Sequence, residues 1–448
     1  MLEKVPEAAL GVLQKLEENG DRACLVGGCV RDLLRGVAAQ DWDMATSARP
    51  EQVLALFGKC AHPTGLRHGT VTVRAGEYAF EITTFRVDGA YADGRHPDHV
   101  TFTASLEEDL ARRDFTVNAM AMDRHGAITD CFGGREDLQN RVLRCVGTPR
   151  TRFEEDALRI LRALRFSATL GFSLEAETAH AVHFCAPLLQ HVAAERLRDE
   201  LLKLLTGSAV VPVLLEYPDV LGVFLPEILP SVGCDQKNYH HCYDVWEHIA
   251  HSVGAIAPAD VLRMTMLLHD LGKPACMTVD EQGVGHFKGH ADVSCTLAER
   301  ILRRLRFDKA RSERILALVK RHDMPVAPTE RAMRRLLQKM TPEGARMLLQ
   351  VKRADNLAQA PAFLGRQKEI DALEALLQQT LEAEECFSLK RLAVNGNDLL
   401  LLGYRGRQIG QALQKLLDAV IDGKLPNEKA ALLAALAESS GKDTKDTL

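Results

Sequence analysis

The chain is poor in aromatic residues, which make up 5% of its 448 positions with two tryptophans among them. It also lacks any apolar run near the ~18–20 residues that a bilayer-spanning helix needs, so a membrane span of that kind is excluded. The N-terminal MLEKVPEAALGVLQKLEENG is charged and amphipathic without an apolar signal core, and a cytoplasmic location is expected. No C-x-x-C pair occurs among the 11 cysteines, which argues against a cysteine zinc site; their odd number and scatter from Cys24 to Cys386 argue against a disulfide framework. Charge of one sign is missing too. With 56 basic and 61 acidic residues the net charge is −5, so a polyanionic partner must be held by local basic surface. Repeats and low-complexity linkers are absent. What remains, 46% apolar and 26% charged residues, is globular material too long for one core.

Up to about residue 148 short β-like runs dominate, such as ACLV (23–26), GTVTVRA (69–75) and YAFEITTFRV (78–87). From Thr151 onward apolar residues recur at three and four spacing, as in DALRILRALRFSATL. The expected class is therefore α+β, with a mixed-sheet head over 1–148 and helices beyond. Pro218, Pro226 and Pro230 punctuate a break, and a histidine-rich helical block follows. The expected divisions are a neck over 149–232, a body over 233–370 and a helical tail over 371–448.

ACLVGGCVRDLLRG reads as a buried strand, a Gly27-Gly28 turn and a helix, an order in which bare backbone N–H groups face a phosphate, or in which the glycines serve geometry alone. Asp41 and Asp43 follow in DWD. Two apart on a strand, they point to one face, either to grip divalent ions or as solvated turn residues. Glu81 lies between apolar neighbours in YAFEITTFR, so a cation is expected beside it, whether a metal shared with the aspartates or a guanidinium such as Arg86.

These segments, with YADGRHPDHVTFTASLEEDLARRDFTVNAMA, DCFGGREDL and RFEEDALRILRALRFSATLGF, resemble in order and spacing the bacterial-type (class II) CCA-adding tRNA nucleotidyltransferases and the related poly(A) polymerases. The resemblance implies a polymerase-beta-like head in which Asp41 and Asp43 hold catalytic Mg2+, with Glu81 as the candidate third carboxylate. It implies nucleotide contacts at Gly27, Gly28 and Arg31, ribose recognition at Arg112, Arg113 and Asp114, and base reading at Glu155, Asp156, Arg159 and Arg162. The i to i+3 spacing of Asp156 and Arg159 predicts one shared helix face. A carboxylate beside a guanidinium complements the amino donor and ring-nitrogen acceptor of cytosine and adenine, whereas guanine and uracil present the opposite order. The segment 86–97, with Tyr91, Asp93, Arg95 and His96, reads as a loop that in such relatives accompanies the switch from C to A.

His248, His269-Asp270 and Asp355 follow the H, HD, D order of HD phosphohydrolase domains, with His290 and His322 as further ligand candidates. Imidazoles and carboxylates from separate helices suit Mg2+, Mn2+, Ni2+ or Fe2+, against the alternative of ordinary buried histidines. In the family such a domain acts as a 2′,3′-cyclic phosphodiesterase or phosphatase, or is degenerate. The tail, with Lys390, Arg391, Arg405 and Arg407, is expected to contact the tRNA backbone. The function expected is template-independent CCA addition to tRNA from CTP and ATP, without a membrane. The alternatives are poly(A) synthesis, or a hydrolase whose head no longer transfers nucleotides.

Overall fold

Strand alternation builds the head. In Tyr78–Thr84, Phe80, Ile82 and Thr84 are buried while Ala79 and Glu81 are exposed, the period of two required where one face is covered. The computed structural model describes residues 2–39, 41–89, 100–383 and 386–442 and divides into two compact units, Met1–Leu229 and Pro230–Leu448.

In the first unit seven strands pair in the order 61–65, 70–75, 78–84, 43–46, 23–26, 120–122, 128–130. All neighbours are antiparallel except Asp43–Thr46 beside Tyr78–Thr84, a parallel pair that sets Asp43 opposite Glu81. The helix Glu7–Glu18 buries Ala9, Val12, Leu13 and Leu16, a stripe at three and four spacing. These residues join Leu25, Met44, Val71 and Ile82 in one core. Each such leucine contributes about 1.5–3 kcal/mol by leaving water, so the sheet that carries Asp43, two residues after Asp41, is firmly backed. Beyond residue 148 the described strands are two residues long, Ser173–Leu174, Thr278–Val279 and Gly285–His286, and helices carry the rest. The class is α+β, as expected.

The second unit is helical, with Val245–Ala255 opened by Asp244, whose side chain accepts from the Glu247 N–H while Glu247 reaches back to the Asp244 N–H. One of its cores gathers Leu318, Met333, Leu348, Leu373 and Leu377; another gathers Val394, Leu399, Leu416, Ile421 and Leu432. The boundary expected at 370/371 falls inside the continuous helix Arg366–Glu382, whose Leu373 and Leu377 pack backward into the earlier core. The division of the whole chain, at Leu229/Pro230, falls three residues before the boundary expected at 232/233.

Candidate functional site

At the end of the strand Ala23–Val26 the backbone turns through Gly27 at φ 76° and ψ −132°, a conformation that side-chain-bearing residues rarely adopt. A Cβ placed there would stand 3.0 Å from Arg113 Nη1 and 4.0 Å from Asp43 Oδ2. The turn is thus bare where a carboxylate and a guanidinium meet. Asp43 keeps an exposed edge, yet its carboxyl is pushed up from the usual range. Desolvation by the surrounding protein is the largest cause, Arg113 opposes it, and Glu81 and Asp41 add to it. Three carboxylates therefore act on one another electrostatically, although among the described residues they do not converge into a cluster with ligand atoms within 4.8 Å. Glu81 is exposed and carries no ion pair with Arg86, whose Nη1 donates instead to the His68 carbonyl. The buried setting expected for Glu81 is thus corrected by its place on the open face of the sheet.

Arg31 and the RRD segment are tied inward. Arg31 Nη1 donates to Asn118 Oδ1 at 2.7 Å, and Arg112 donates twice to Asp109 Oδ1, at 3.0 and 2.8 Å. Asp114 is buried and receives Arg162 Nε and Nη2 on one oxygen at 2.8 and 2.6 Å, while its other oxygen accepts the Phe115 N–H at 2.9 Å. Burial pushes this carboxyl up, but the charge and hydrogen bonds of Arg162, helped by Arg159, hold it below its ordinary value. Expected as an open acceptor for sugar hydroxyls, it is engaged by Arg162.

The neck departs from expectation at its central motif. The helix Pro149–Glu155 stops at Asp156, which is extended at φ −140° and ψ 103°, and a new helix runs Leu158–Leu170. Asp156 and Arg159 therefore share no helix face. The Asp156 carboxylate accepts the Leu158 N–H at 3.1 Å and binds Arg196 through two bonds of 3.2 and 2.8 Å, so capping competes successfully with helix continuation. Arg159 pairs with Glu155 and donates to the Arg152 carbonyl at 3.1 Å and the Arg112 carbonyl at 3.2 Å. That last bond, with Arg162 to Asp114, joins the neck motif to the RRD segment in one polar layer. Phe166 lies beneath the guanidiniums of Arg31, Arg162 and Arg165, at 5.5, 5.4 and 3.7 Å from its centroid. Arg196, Asn118 and the Arg31 contact of Phe166 escape the motif reading because their partners are distant in sequence. Tyr91, Asp93, Arg95 and His96 lie outside the described residues.

In the second unit His248, His269, Asp270 and Asp355 do converge, with ligand atoms within 4.8 Å of one another. His248 Nε2 lies 2.9 Å from Asp355 Oδ1 and 3.2 Å from Asp270 Oδ2, which is also 3.2 Å from His269 Nε2. Burial lowers the His269 ring, but Asp270 and Asp355 outweigh it and push it up to about 10. Burial raises both carboxyls, and the facing imidazoles, joined at Asp270 by Lys273, hold them well below the usual carboxylate range. A field that so favours a proton also favours a metal cation, and nitrogen with carboxylate donors fits a first-row divalent ion.

The family model described as the poly A polymerase head domain matches residues 23–144, that of the probable RNA and SrmB-binding site of polymerase A matches 171–230, and that of a putative tRNA nucleotidyltransferase domain 2 matches 286–436. A CCA-adding enzyme of Levilactobacillus brevis is 36% identical over 446 residues, covering 98% of this chain and 100% of that relative. The chain belongs to the CCA-adding enzyme family. A CCA-adding enzyme of Geobacillus thermodenitrificans is 50% identical over 223 residues, 49% of this chain; that match spans 54% of the relative, so the chain covers about half the length of this and several other curated relatives. Among solved structures, the Bacillus stearothermophilus CCA-adding enzyme in complex with CTP is similar at 33% identity and a TM-score of 0.76, over 98% of both chains. The matched CCA-adding family members thus include whole-length relatives that span both units.

Proposed function

We propose that the first unit extends the 3′ end of tRNA with CCA from CTP and ATP, the head over 1–148 carrying the chemistry and the neck over 149–232 choosing the base. The observation that carries this reading is the meeting of Gly27, Asp43 and Arg113 at one turn, within a fold shared with a relative solved with CTP. Asp41 and Asp43 are the assigned ligands of Mg2+. Their donor chemistry fits, because Mg2+ is commonly held by one or two carboxylates and completed by substrate phosphates. Bound there, the ion would neutralise the triphosphate and favour attack by the RNA 3′ hydroxyl on the α-phosphate, the α–β phosphoanhydride bond breaking as pyrophosphate leaves and the hydroxyl proton passing to solvent. Gly27 and Gly28 admit the triphosphate to the backbone, Arg31, Arg112 and Arg113 surround it with positive charge, and Glu81 adds negative field beside Asp43. Asp114 and Arg162 serve the ribose end.

Base choice is assigned to Asp156 and Arg159, with Glu155 beside them. An incoming cytosine or adenine then exchanges its amino group and ring nitrogen for the present partners, Arg196 on Asp156 and Glu155 on Arg159. Given a tRNA transcript lacking its last three nucleotides, Mg2+, CTP and ATP, the protein should add C, C and A and stop. A long A ladder with ATP alone, or an unextended transcript, would overturn the assignment. The tail basic residues Lys390, Arg391, Arg405 and Arg407 are assigned to the tRNA backbone.

For the second unit we propose a metal-dependent phosphohydrolase, favoured by the convergence of His248, His269, Asp270 and Asp355. Hydrolysis of 2′,3′-cyclic nucleotides after loading with Ni2+ or Mn2+, lost in His269→Ala, tests it. Absence of both bound metal and hydrolysis would leave the unit a structural body.

A further inference from the structure

Aromatic residues are scarce in this chain, yet three rings meet at the surface of the second unit. Tyr239 leaves 69% of its surface in solvent. Its ring centroid lies 4.4 Å from that of His240 and 5.7 Å from that of Phe363, and the His240 and Phe363 rings are 4.0 Å apart. The segment that carries the first two is held in place: Asn238 Oδ1 accepts the His240 N–H at 3.0 Å, and Asn238 Nδ2 donates to the Gly285 carbonyl at 3.0 Å. A large ring kept in water on a fixed backbone offers its face to another flat group.

Both segments of this platform lead into the histidine-aspartate centre. The His240 carbonyl accepts the Ala360 N–H at 2.9 Å, and the Phe363 carbonyl accepts from Asn356 Nδ2 at 3.1 Å. Asn356 follows Asp355, and the Ala358 carbonyl lies 3.1 Å from His248 Nδ1. On the other side His241 follows His240 and meets the His248 ring edge-on, with centroids 5.1 Å apart. Two buried nitrogens here, His240 Nδ1 and His241 Nδ1, have no hydrogen-bond partner. Folded proteins seldom leave such atoms unpaired, so the polar groups of a ligand are expected to complete them. Burial, and after it the charge of the exposed Arg366, lowers the His240 pKa, which leaves that ring neutral near pH 7.

We propose that Tyr239, His240 and Phe363 form a stacking subsite for a nucleobase, so that the centre beside them takes nucleotides in preference to base-free phosphoesters. The proposal deepens the phosphohydrolase reading and rests on it for the reaction. Stacking on aromatic rings tolerates every base, because each has a π-face. The two unpaired imidazole nitrogens suit ribose hydroxyls or a base edge, and the charge of Arg366 suits a phosphate. With a 2′,3′-cyclic nucleotide, the oxygen of water bonds to phosphorus, one bond from phosphorus to a ribose oxygen breaks, and the water proton passes to the oxygen released, leaving a phosphomonoester. The platform touches none of these atoms. It lengthens the stay of substrates that carry a base, so its effect falls on KM.

The test gives the full chain, loaded with Mn2+, two substrates: adenosine 2′,3′-cyclic phosphate, and glycerol 1,2-cyclic phosphate, which has the same reacting ring and no base. The expected kcat/KM is at least about tenfold higher for the nucleotide. Tyr239→Ala, or Phe363→Leu, should remove most of that ratio through KM, and Tyr239→Trp should keep it. A ratio near one in the unaltered protein, or the same ratio in Tyr239→Ala, overturns the platform and leaves the phosphohydrolase standing. Hydrolysis of neither substrate overturns the phosphohydrolase, and photolabelling with 8-azidoadenosine 2′,3′-cyclic phosphate then decides the subsite by itself. Label within 238–241 or 361–366 upholds it, and no label there overturns it. A short RNA ending in a 2′,3′-cyclic phosphate separates the two sources of the base: equal dependence on Tyr239 assigns the site to an RNA end, and hydrolysis of the mononucleotide alone assigns it to a free nucleotide.

Discussion

The two units treat buried charge in opposite ways. In the first, each buried carboxylate has its own guanidinium: Asp109 with Arg112 and Arg113, Asp114 with Arg162, Asp137 with Arg144, and Glu200 with Arg165. In the second, Asp270 and Asp355 lie among four inward-facing histidines, with Lys273 paired to Asp270 and Lys352 acting electrostatically on Asp355. The first balances its charge from its own sequence, so a substrate there must compete with internal ion pairs. The second assembles acceptors in excess, and its balance must come from protons or metal.

The largest test of this contrast is Asp43→Ala. It should slow nucleotide addition by at least about a thousandfold, several kcal/mol of transition-state stabilisation, while metal content in the second unit stays unchanged. Single-turnover kinetics beside metal analysis checks it, and a joint loss would show that the centres are not independent. Next comes Arg162→Met, which leaves Asp114 buried without its partner. The expected loss is about 2–4 kcal/mol, the lower part of the range for a buried pair, because Arg162 keeps 33% of its side chain exposed. The pH dependence sharpens it. With its folded value held below the unfolded one, Asp114 stabilises the protein above the unfolded carboxylate range, and that contribution disappears as pH falls through the lowered value. In the variant Arg162 no longer opposes burial, so the Asp114 carboxyl moves up and the stability deficit should be largest at neutral pH and shrink as pH falls toward the unfolded carboxylate range, as denaturant titrations at several pH values measure.

Chelation should distinguish the units calorimetrically. Removing an ion present at a hundred times its dissociation constant costs about 2.7 kcal/mol, or roughly 5–10 °C for a unit of this size. The second transition should move and the first stay, whereas two unmoved transitions would mean that protons alone balance the cluster. The smallest expected effect belongs to Asp156→Ala, about tenfold weaker rejection of UTP and GTP, equivalent to ~1.4 kcal/mol, with little change in tRNA affinity. Competition among the four triphosphates measures it.

The features legible in the sequence are those whose partners are local. Strand, Gly27-Gly28 turn, helix and DWD lie within about twenty residues, and the structure brings Gly27 within reach of Asp43 as that order suggests. The HD dipeptide is local as well, and the structure brings His269 and Asp270 together with His248 and Asp355. The neck was misread where a local rule had a local competitor: Asp156 ends one helix and caps the next, and its guanidinium partner is Arg196, forty residues on. Glu81 was misplaced by its apolar neighbours, although the alternation of Phe80 and Ile82 already assigns it the opposite face. Phe166 has Arg162 and Arg165 on its own helix, but its contact with Arg31 joins segments more than a hundred residues apart and leaves no sequence signal.

The anchoring of the four histidines also orders their assembly in time. His269, His290 and His322 each hold a carbonyl three residues earlier, so their rings are aimed as soon as their own turn forms. His248 is aimed by the Ala358 carbonyl, 110 residues later and three past Asp355. At ribosomal speeds of about 5–20 residues per second, that interval lasts roughly 5–20 s. In its last third, after His322, three rings are set and the fourth is not. Closure of the centre consequently waits for the arrival of the helix Pro342–Leu357 and the Ala358 carbonyl just beyond it.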